Sequence, residues 1–239
     1  QTIKGNFIGT TFDAGTWRDL APVLHGIYVS GAGGLTIGGT CTAGSGPQSI
    51  YEGNYIAYHN AASATGVYVD NGAPTIYGNY FGTNRAGGDL GNYYDIQLAV
   101  NADNVTIGSS TYGQGNTLGW SDVVGIYYLA SGGTQTIQGN YIGTTFDAGT
   151  WRDLGPALYG LYFNGTGTLS VGGTHTGGTG TQSINEGNYI CHYDGLSNYG
   201  IVVINGSPTI EGNFIGTNRA GDDLGNYVGI IMTAGADNV

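Results

Sequence analysis

Two copies of one loop bring together residue types that could do acid–base chemistry on a sugar. Phe12 to Leu20 reads FDAGTWRDL, and the same nine residues return unchanged at Phe146 to Leu154. Each copy carries two carboxylates, a guanidinium and an indole, and a glycosidase needs two carboxylates across the scissile bond, one of them with a raised pKa. Because an enzyme site is rarely duplicated along one chain, the alternative is a structural loop pinned by its own arginine–aspartate contacts and a tucked tryptophan.

A second charged loop, Asn84 to Asn92, repeats at Asn218 to Asn226. The two kinds of loop together hold four of the five basic residues of the chain, each with an acid close in sequence. Exposed ion pairs contribute only about 0–1 kcal/mol each, so the loops form either a ladder of salt bridges or a lateral docking stripe. The candidate lateral stripe comprises Asp13, Arg18, Asp19, Arg85, Asp89, Asp147, Arg152, Asp153, Arg219 and Asp223.

Signatures of metal binding and catalysis are otherwise sparse. The neighbours Asp222 and Asp223, and the pair Asp13 and Asp19, could ligate a structural calcium ion through carboxylate and backbone oxygens. The spacing of an EF-hand or of a calcium-binding nonapeptide is missing, so no cofactor is assigned. Lys4 is the only lysine and is expected to lie alone on an outer face.

The internal repeat indicates which elements position these loops. QTIKGNFIGTTFDAGTWRDL at Gln1 returns as QTIQGNYIGTTFDAGTWRDL at Gln135, an offset of 134 residues. Inside this large repeat, a smaller unit recurs with a short alternating strand, a second strand and a Gly-Asn turn. The pattern predicts an all-β parallel β-helix of about seven rungs in a single domain, 1–239, with a large repeat over 1–134 and a partial one over 135–239.

One asparagine follows a glycine at the same place in every small unit. In stacked rungs equivalent residues lie about 4.8 Å apart, so each side-chain amide can hydrogen-bond to the amides above and below it. Strand alternation also predicts an aliphatic interior, with aromatic residues on the outward face of the same strands. The predicted asparagine ladder comprises Asn6, Asn54, Asn79, Asn116, Asn140, Asn188 and Asn213.

The rung assignment places the two cysteines far apart. Cys41 and Cys191 fall four rungs apart, about 19 Å, whereas a disulfide needs Cα atoms within about 7 Å. No bridge between them is expected, and Cys191 is predicted to be a packed thiol. His59 and His192, with tyrosines and Asp194 nearby, are the remaining candidates for acid–base chemistry.

Composition narrows the partners and the location. The chain has 48 glycines, only 9% charged residues and a formal net charge of −11. The missing basic stripe argues against a nucleic-acid partner, and the lack of a long apolar run argues against membrane insertion. A surface rich in Tyr, Thr, Asn and Gly and poor in Lys is typical of an extracellular or cell-surface protein.

The segments GNYFGTNRAGGDLGN, NVTIGSSTYGQGNTL and LTIGGTCTAGSGPQSI resemble a known repeat. They are similar to the right-handed parallel β-helix repeats of large secreted bacterial proteins, in the pectin-lyase-like superfamily, and the resemblance covers essentially the whole chain. It implies a right-handed solenoid. The same superfamily includes carbohydrate-active enzymes, adhesin shafts and surface fibres, so the resemblance does not choose a function.

Repeated, in-phase surfaces favour a structural role over an enzyme. The expected function is an extracellular scaffold that assembles with itself head to tail into a filament, or a part of a longer surface fibre or adhesin shaft whose neighbouring repeats are its partners. The alternative is a secreted polysaccharide lyase or hydrolase, or a carbohydrate-binding module, on the same fold.

The two ends of the chain are in phase with its internal rungs. Open β-helix ends are unpaired strand edges, and a head-to-tail contact that does not close yields a filament. Val239 of one unit is therefore expected beside Gln1 of the next, unless the chain is a stretch of a longer tandem array. The candidate end-to-end interface comprises Gln1, Thr2, Ile3, Asp237, Asn238 and Val239.

Overall fold

The fold consists of three parallel sheets wound by one chain. The computed structural model describes residues 1–20, 24–31, 33–40, 52–111, 113–147, 149–155, 157–174 and 187–236. Each sheet has seven strands, and consecutive strands of one sheet are separated in sequence by one strand from each of the others. Seven coils result, each with one strand per sheet, and the prediction of a parallel β-helix of seven rungs is confirmed.

The strands of the first and second sheets are short, and those of the third sheet are longer. The first sheet contains β1 (Thr2–Ile3), β6 (Thr36–Gly38), β9 (Thr75–Tyr77), β12 (Thr106–Gly108), β15 (Thr134–Gln138), β20 (Thr168–Gly172) and β23 (Thr209–Glu211). The second contains β2 (Phe7–Ile8), β7 (Tyr55–Ile56), β10 (Tyr80–Phe81), β13 (Thr117–Leu118), β16 (Tyr141–Ile142), β21 (Tyr189–Ile190) and β24 (Phe214–Ile215). The third contains β5 (His25–Ser30), β8 (Thr65–Gly72), β11 (Tyr94–Ala102), β14 (Val124–Tyr128), β19 (Tyr159–Asn164), β22 (Tyr199–Gly206) and β25 (Val228–Ala236).

Two antiparallel hairpins stand out from this frame, between the second and third sheets of coils 1 and 5. The first pairs β3 (Thr10–Asp13) with β4 (Thr16–Asp19), and the second pairs β17 (Thr144–Asp147) with β18 (Thr150–Asp153). They are the duplicated FDAGTWRDL loop. In both copies the phenylalanine lies opposite the tryptophan, so the identical sequences fold in the same register.

Aliphatic side chains at equivalent positions of successive coils form rows that fill the interior. Ile56, Val67 and Ile76, one from each sheet, are fully buried, and the same register positions are buried through most of the stack. Since side chains alternate between the two faces of a strand, every second residue enters this core. The prediction of an aliphatic interior is confirmed for coils 1 to 6.

The asparagine ladder runs along one corner of the coils. Asn79 Nδ2 donates to Asn116 Oδ1 in the next coil at 2.9 Å and to the carbonyl of Ile37 in the preceding coil at 3.0 Å. The Oδ1 atom of Asn79 in turn accepts a bond from Asn54 Nδ2 at 2.8 Å. The same amide-to-amide bond joins all seven ladder asparagines in order from Asn6 to Asn213, as the sequence predicts.

Candidate functional site

The hairpin tryptophans cover the outward aromatic residues of the second sheet. Trp17 packs edge-on against Tyr55, and Trp151 against Tyr189, with ring centroids 4.6 Å apart in both cases. Tyr55 and Tyr189 are fully buried although they face away from the β-helix core. Each copy of the duplicated loop therefore has its tryptophan tucked against the second sheet, and whether its carboxylates also act on a substrate stays a prediction.

Cys191 belongs to the small apolar cluster under the second hairpin. It packs with Tyr189 and Leu224, is a free thiol, and has no exposed surface. Burial raises the pKa of its thiol to about 12, so it is a packed, unreactive group, as predicted. Cys41 lies outside the described residues.

The charged loops of different coils are linked to one another. In the first hairpin, Arg18 pairs with its own Asp13 at 3.0 Å. Arg85, in the loop of coil 3, reaches Asp147 in the hairpin of coil 5 at 3.5 Å, and Arg152 joins the same carboxylate at 3.7 Å. The sequence predicted an acid close in the chain for each arginine, and for Arg85 the observed pair instead spans two coils.

Several aspartates of the candidate stripe accept hydrogen bonds from amides of their own loops. The Oδ1 atoms of Asp89, Asp153 and Asp223 each accept a bond from the amide of the residue two positions on, at 3.1, 2.7 and 3.0 Å. Asp19 ends the first hairpin, opposite Thr10. These contacts shape the loops, and whether the stripe docks a partner stays a prediction.

The calcium candidates are held by other contacts. Asp222 Oδ2 accepts a bond from Asn218 Nδ2 at 2.7 Å, and Asp13 pairs with Arg18. In the part of the chain that the structure describes, no three His, Cys, Asp or Glu side chains cluster as they would around a metal ion. The prediction that Lys4 lies alone is wrong, because its Nζ pairs with Glu52 Oε1 at 2.6 Å. Over the same residues, no helix long and apolar enough to cross a membrane was found.

A buried polar cluster lies where the second sheet turns into the third, in coils 2 to 4. Asp95 is fully buried at the place where other coils have glycine, and its two carboxyl oxygens accept 2.8 Å bonds from Asn92 Nδ2 and Ser121 Oγ. Burial raises the pKa of Asp95 from its ordinary value of 3.8 to about 8, although both bonds act in the opposite direction. The signal for this group in the sequence is that Asp95 is the one non-glycine residue at its place in the repeat.

His59 occupies the neighbouring coil of this cluster. Its amide donates to Asn92 Oδ1 at 3.0 Å, and its ring Nδ1 lies 3.0 Å from the carbonyl of Ala57. Burial lowers the pKa of the His59 imidazole from 6.5 to about 4, so the ring is neutral at pH 7. His192 lies in coil 6, four coil spacings or about 19 Å away, so the two histidines do not form one catalytic site.

Tyrosines also line the outward face of the third sheet. Tyr28 stacks on Tyr68 with centroids 5.5 Å apart, and Tyr127 contacts both Tyr94 and Tyr162 at 5.2 and 5.3 Å. Among the described residues no hairpin covers these rings, and Tyr28 is exposed while Tyr68, Tyr94, Tyr127 and Tyr162 are half-buried. This tyrosine face is thus a second aromatic surface, which no tryptophan hairpin covers in the described structure.

The end coils differ from the interior coils in burial. At the start, Thr2 and Ile3 pair with Thr36 and Ile37 of coil 2, and the carbonyl of Gln1 accepts a bond from Thr36. At the other end, Ile230 and Met232 occupy core register positions in β25, which is the last strand of its sheet among the described residues. Asp237, Asn238 and Val239 of the candidate end-to-end interface lie outside the described residues.

Comparison with known protein families, with curated proteins and with solved structures finds no match. The classification of this chain rests on its geometry: three seven-stranded parallel sheets visited in turn, and a continuous asparagine ladder along one corner. These two features define an all-β protein of the β-solenoid type.

Proposed function

We propose that this chain is a structural shaft of an extracellular or cell-surface fibre, in which further coils of the same kind continue the stack. Those coils come either from copies of the chain joined head to tail or from neighbouring repeats of a longer chain. The resemblance of GNYFGTNRAGGDLGN and its companion segments to secreted β-helix repeats supports this, and we include a right-handed, pectin-lyase-like coil in the proposal.

The exposure of core positions in coil 7 carries the proposal. Ile201 and Val203 in coil 6 are fully buried, whereas their register partners Ile230 and Met232 in coil 7 are 39% and 55% exposed. Both residues belong to the nine-residue edge strand β25. A long unpaired edge flanked by apolar side chains favours pairing with another strand, and a further coil would bury both.

Solution scattering from a lengthened chain tests this function. A tandem copy of residues 1–134 placed before residue 1 adds four coils, so the particle should lengthen by about 19 Å while its cross-section stays the same. Sedimentation of the original chain at increasing concentration shows whether copies also join end to end. A lengthened chain with an unchanged long axis and a wider cross-section would contradict the shaft.

The open tyrosine face favours carbohydrate binding as a second candidate function. The exposed ring of Tyr28 and the half-buried ring of Tyr68 stacked on it present flat apolar surfaces with polar tips, which suit the faces of sugar rings. With a net charge of −11, neutral or cationic glycans fit this surface better than acidic ones. Titration with neutral oligosaccharides should give binding that Tyr28→Ala weakens, and equal binding by the variant and the original chain would exclude this face.

A further inference from the structure

Along the corner between the second and third sheets, coils with a long connector alternate with coils that have a short one, and we call them loop-bearing and loop-free with respect to this corner alone. The connectors from the second to the third sheet are long in coils 1, 3, 5 and 7, at 9–24, 82–93, 143–158 and 216–227. They are short in coils 2, 4 and 6, at 57–64, 119–123 and 191–198. Neighbouring coils lie about 4.8 Å apart, whereas a two-stranded layer occupies about 10 Å face to face. A protruding loop therefore needs the space of two coils, which the alternation provides.

Each loop-free coil also holds the loop that follows it. Tyr58, Trp120 and His192 share a positive φ of 62°, 56° and 67°, and their amides donate to a leucine carbonyl in the next coil at 2.8, 2.6 and 2.8 Å. The accepting leucines are Leu90, Leu154 and Leu224.

Coil 4 joins the loops on both of its sides. Trp120 donates its Nε1–H to the carbonyl of Gly87 in coil 3 at 3.0 Å, while its ring lies against Gly155 of coil 5. Across it, Arg85 of coil 3 reaches Asp147 of coil 5. We call this arrangement of a loop, a tryptophan coil and a hairpin the closed interlock.

Coil 7 carries the first half of the same interlock, already folded. Its turn is held by the bond from the Ala220 amide to Asn218 Oδ1 at 2.8 Å, as the coil 3 turn is held by the bond from Ala86 to Asn84 at 2.8 Å. A methyl group on Gly87 would contact the coil 5 hairpin, whereas one on Gly221 would meet nothing within 4 Å.

Coil 1 carries the other half. Leu154 of the second hairpin is fully buried beneath the tryptophan coil, whereas the equivalent Leu20 is 57% exposed. Both leucines close their loops with the same hydrogen bond. The Leu154 amide donates to the carbonyl of Gly143, and the Leu20 amide donates to that of Gly9. Coil 7 thus presents the loop of the closed interlock and coil 1 presents the hairpin. A tryptophan coil next to either of them would complete the arrangement.

We propose that the loop face of coil 7 is a docking surface for a loop-free coil of the coil 4 type, with its tryptophan on the carbonyl of Gly221. A hairpin coil follows it, and the aspartate at the Asp147 position pairs with Arg219. This inference rests on the proposed shaft function and makes it more specific. The partner is a neighbouring repeat of a longer chain that presents a loop-free coil first, because a copy of this chain joined head to tail would place hairpin coil 1 on coil 7 and bring two protruding loops within one coil spacing.

Two one-coil extensions of nearly equal length test the proposal. The first adds a copy of residues 106–134, the loop-free coil, after Val239, and the second adds a copy of residues 135–164, the hairpin coil. Hydrogen exchange is then measured at the amides of 217–224 and of β25. The loop-free extension should slow exchange in both segments by about tenfold or more, and the hairpin extension should leave 217–224 unchanged. A tryptophan-to-alanine change in the added coil should restore fast exchange at 217–224 while β25 stays protected.

The outcomes separate this inference from the shaft itself. Equal protection of 217–224 by both extensions would overturn the choice of a loop-free coil and leave the shaft standing. No protection of β25 by either extension would overturn both proposals. Protection of 217–224 that survives loss of the added tryptophan would show that stacking alone, and not the interlock, selects the next coil.

Discussion

At the residue scale, the ladder asparagines are the most densely bonded side chains of the fold. Asn79 Nδ2 donates to Tyr77 as well as to Ile37 and Asn116, and its Oδ1 accepts two bonds from Asn54. Asn79→Ala leaves these buried partners unsatisfied and should lower the free energy of unfolding by about 1–3 kcal/mol, as measured by urea denaturation.

The first asparagine of the ladder provides the matched control. Asn6 bonds to Asn54 and to the Lys4 carbonyl but is exposed and has no coil before it in the described structure. Asn6→Ala should therefore cost clearly less than Asn79→Ala, because water replaces the lost bonds. Equal losses for the two variants would show that the ladder contributes no more in the interior than at a solvated end.

Asp95 and His59 make the stability of the fold depend on pH in opposite directions. The pKa of Asp95 is raised from 3.8 to about 8 on folding, so its contribution is complete below pH 3.8 and is lost as the pH rises towards 8. The pKa of His59 is lowered from 6.5 to about 4, so its contribution is complete above pH 6.5 and is lost as the pH falls towards 4. The two slopes oppose each other between pH 4 and 6.5, and only that of Asp95 remains between 6.5 and 8.

Asp95→Asn isolates this effect. The original chain should lose up to about 1.4 kcal/mol of unfolding free energy per pH unit between pH 6.5 and 8, and the variant should be nearly flat there. The amide is uncharged and can still bond to Asn92 and Ser121, so the variant should fold. Asp122 is nearby and acts on Asp95, so Asp122→Asn is the control and should leave most of the slope. An unchanged slope in Asp95→Asn would assign the pH dependence to other groups.

At the scale of elements, local patterns were predictable and contacts between distant coils were not. The Gly-Asn turns place the seven asparagines in register, because each small unit repeats the same strand spacing. The pairing of Arg85 with Asp147 was missed since the two residues belong to coils 3 and 5, and nothing in the sequence shows that the loops reach across the loop-free coil between them. Similarly, the outward rings of the second sheet look exposed in a strand pattern, and only the folded hairpin shows that Trp151 buries Tyr189.

The hairpins stabilise the β-helix by covering outward aromatic residues of the second sheet. Trp151→Ala would uncover Tyr189, which the indole contacts at 4.6 Å, and also remove a contact with Phe146 at 5.1 Å. The expected loss is about 2–3 kcal/mol, below that of a fully buried tryptophan because Trp151 is only half-buried. Thermal unfolding followed by near-ultraviolet circular dichroism measures it.

Trp17→Ala in the first hairpin is the matched control. The hairpin sequence from Phe12 to Leu20 is identical, and Trp17 contacts Tyr55 at the same 4.6 Å. Coil 1 has a neighbour on one side only, so its hairpin contributes less to the cooperative stack. A larger loss of stability for Trp17→Ala than for Trp151→Ala would mean that coil 1 is more tightly held than its single neighbour suggests.

At the scale of the whole molecule, the chain behaves as a one-dimensional stack. Each coil contacts only the coils before and after it along the three sheets, and the loops reach one coil further. In such an array stability is close to a sum of coil terms and nearest-neighbour interfaces. An interior coil has two interfaces and an end coil one, so the ends should open first.

Hydrogen exchange of the unmodified chain in dilute solution shows this gradient directly. Amides of β11 and β14, in the middle of the third sheet, should exchange at least about tenfold more slowly than those of the edge strand β25. The comparison stays within one sheet, so strand geometry and sequence type are closely matched. Protection of β25 equal to that of β11 would mean that the end is already covered. If that protection then fell on dilution, a second copy would be the cover. If it did not, the chain would cover its own end, and the shaft with open ends would be wrong.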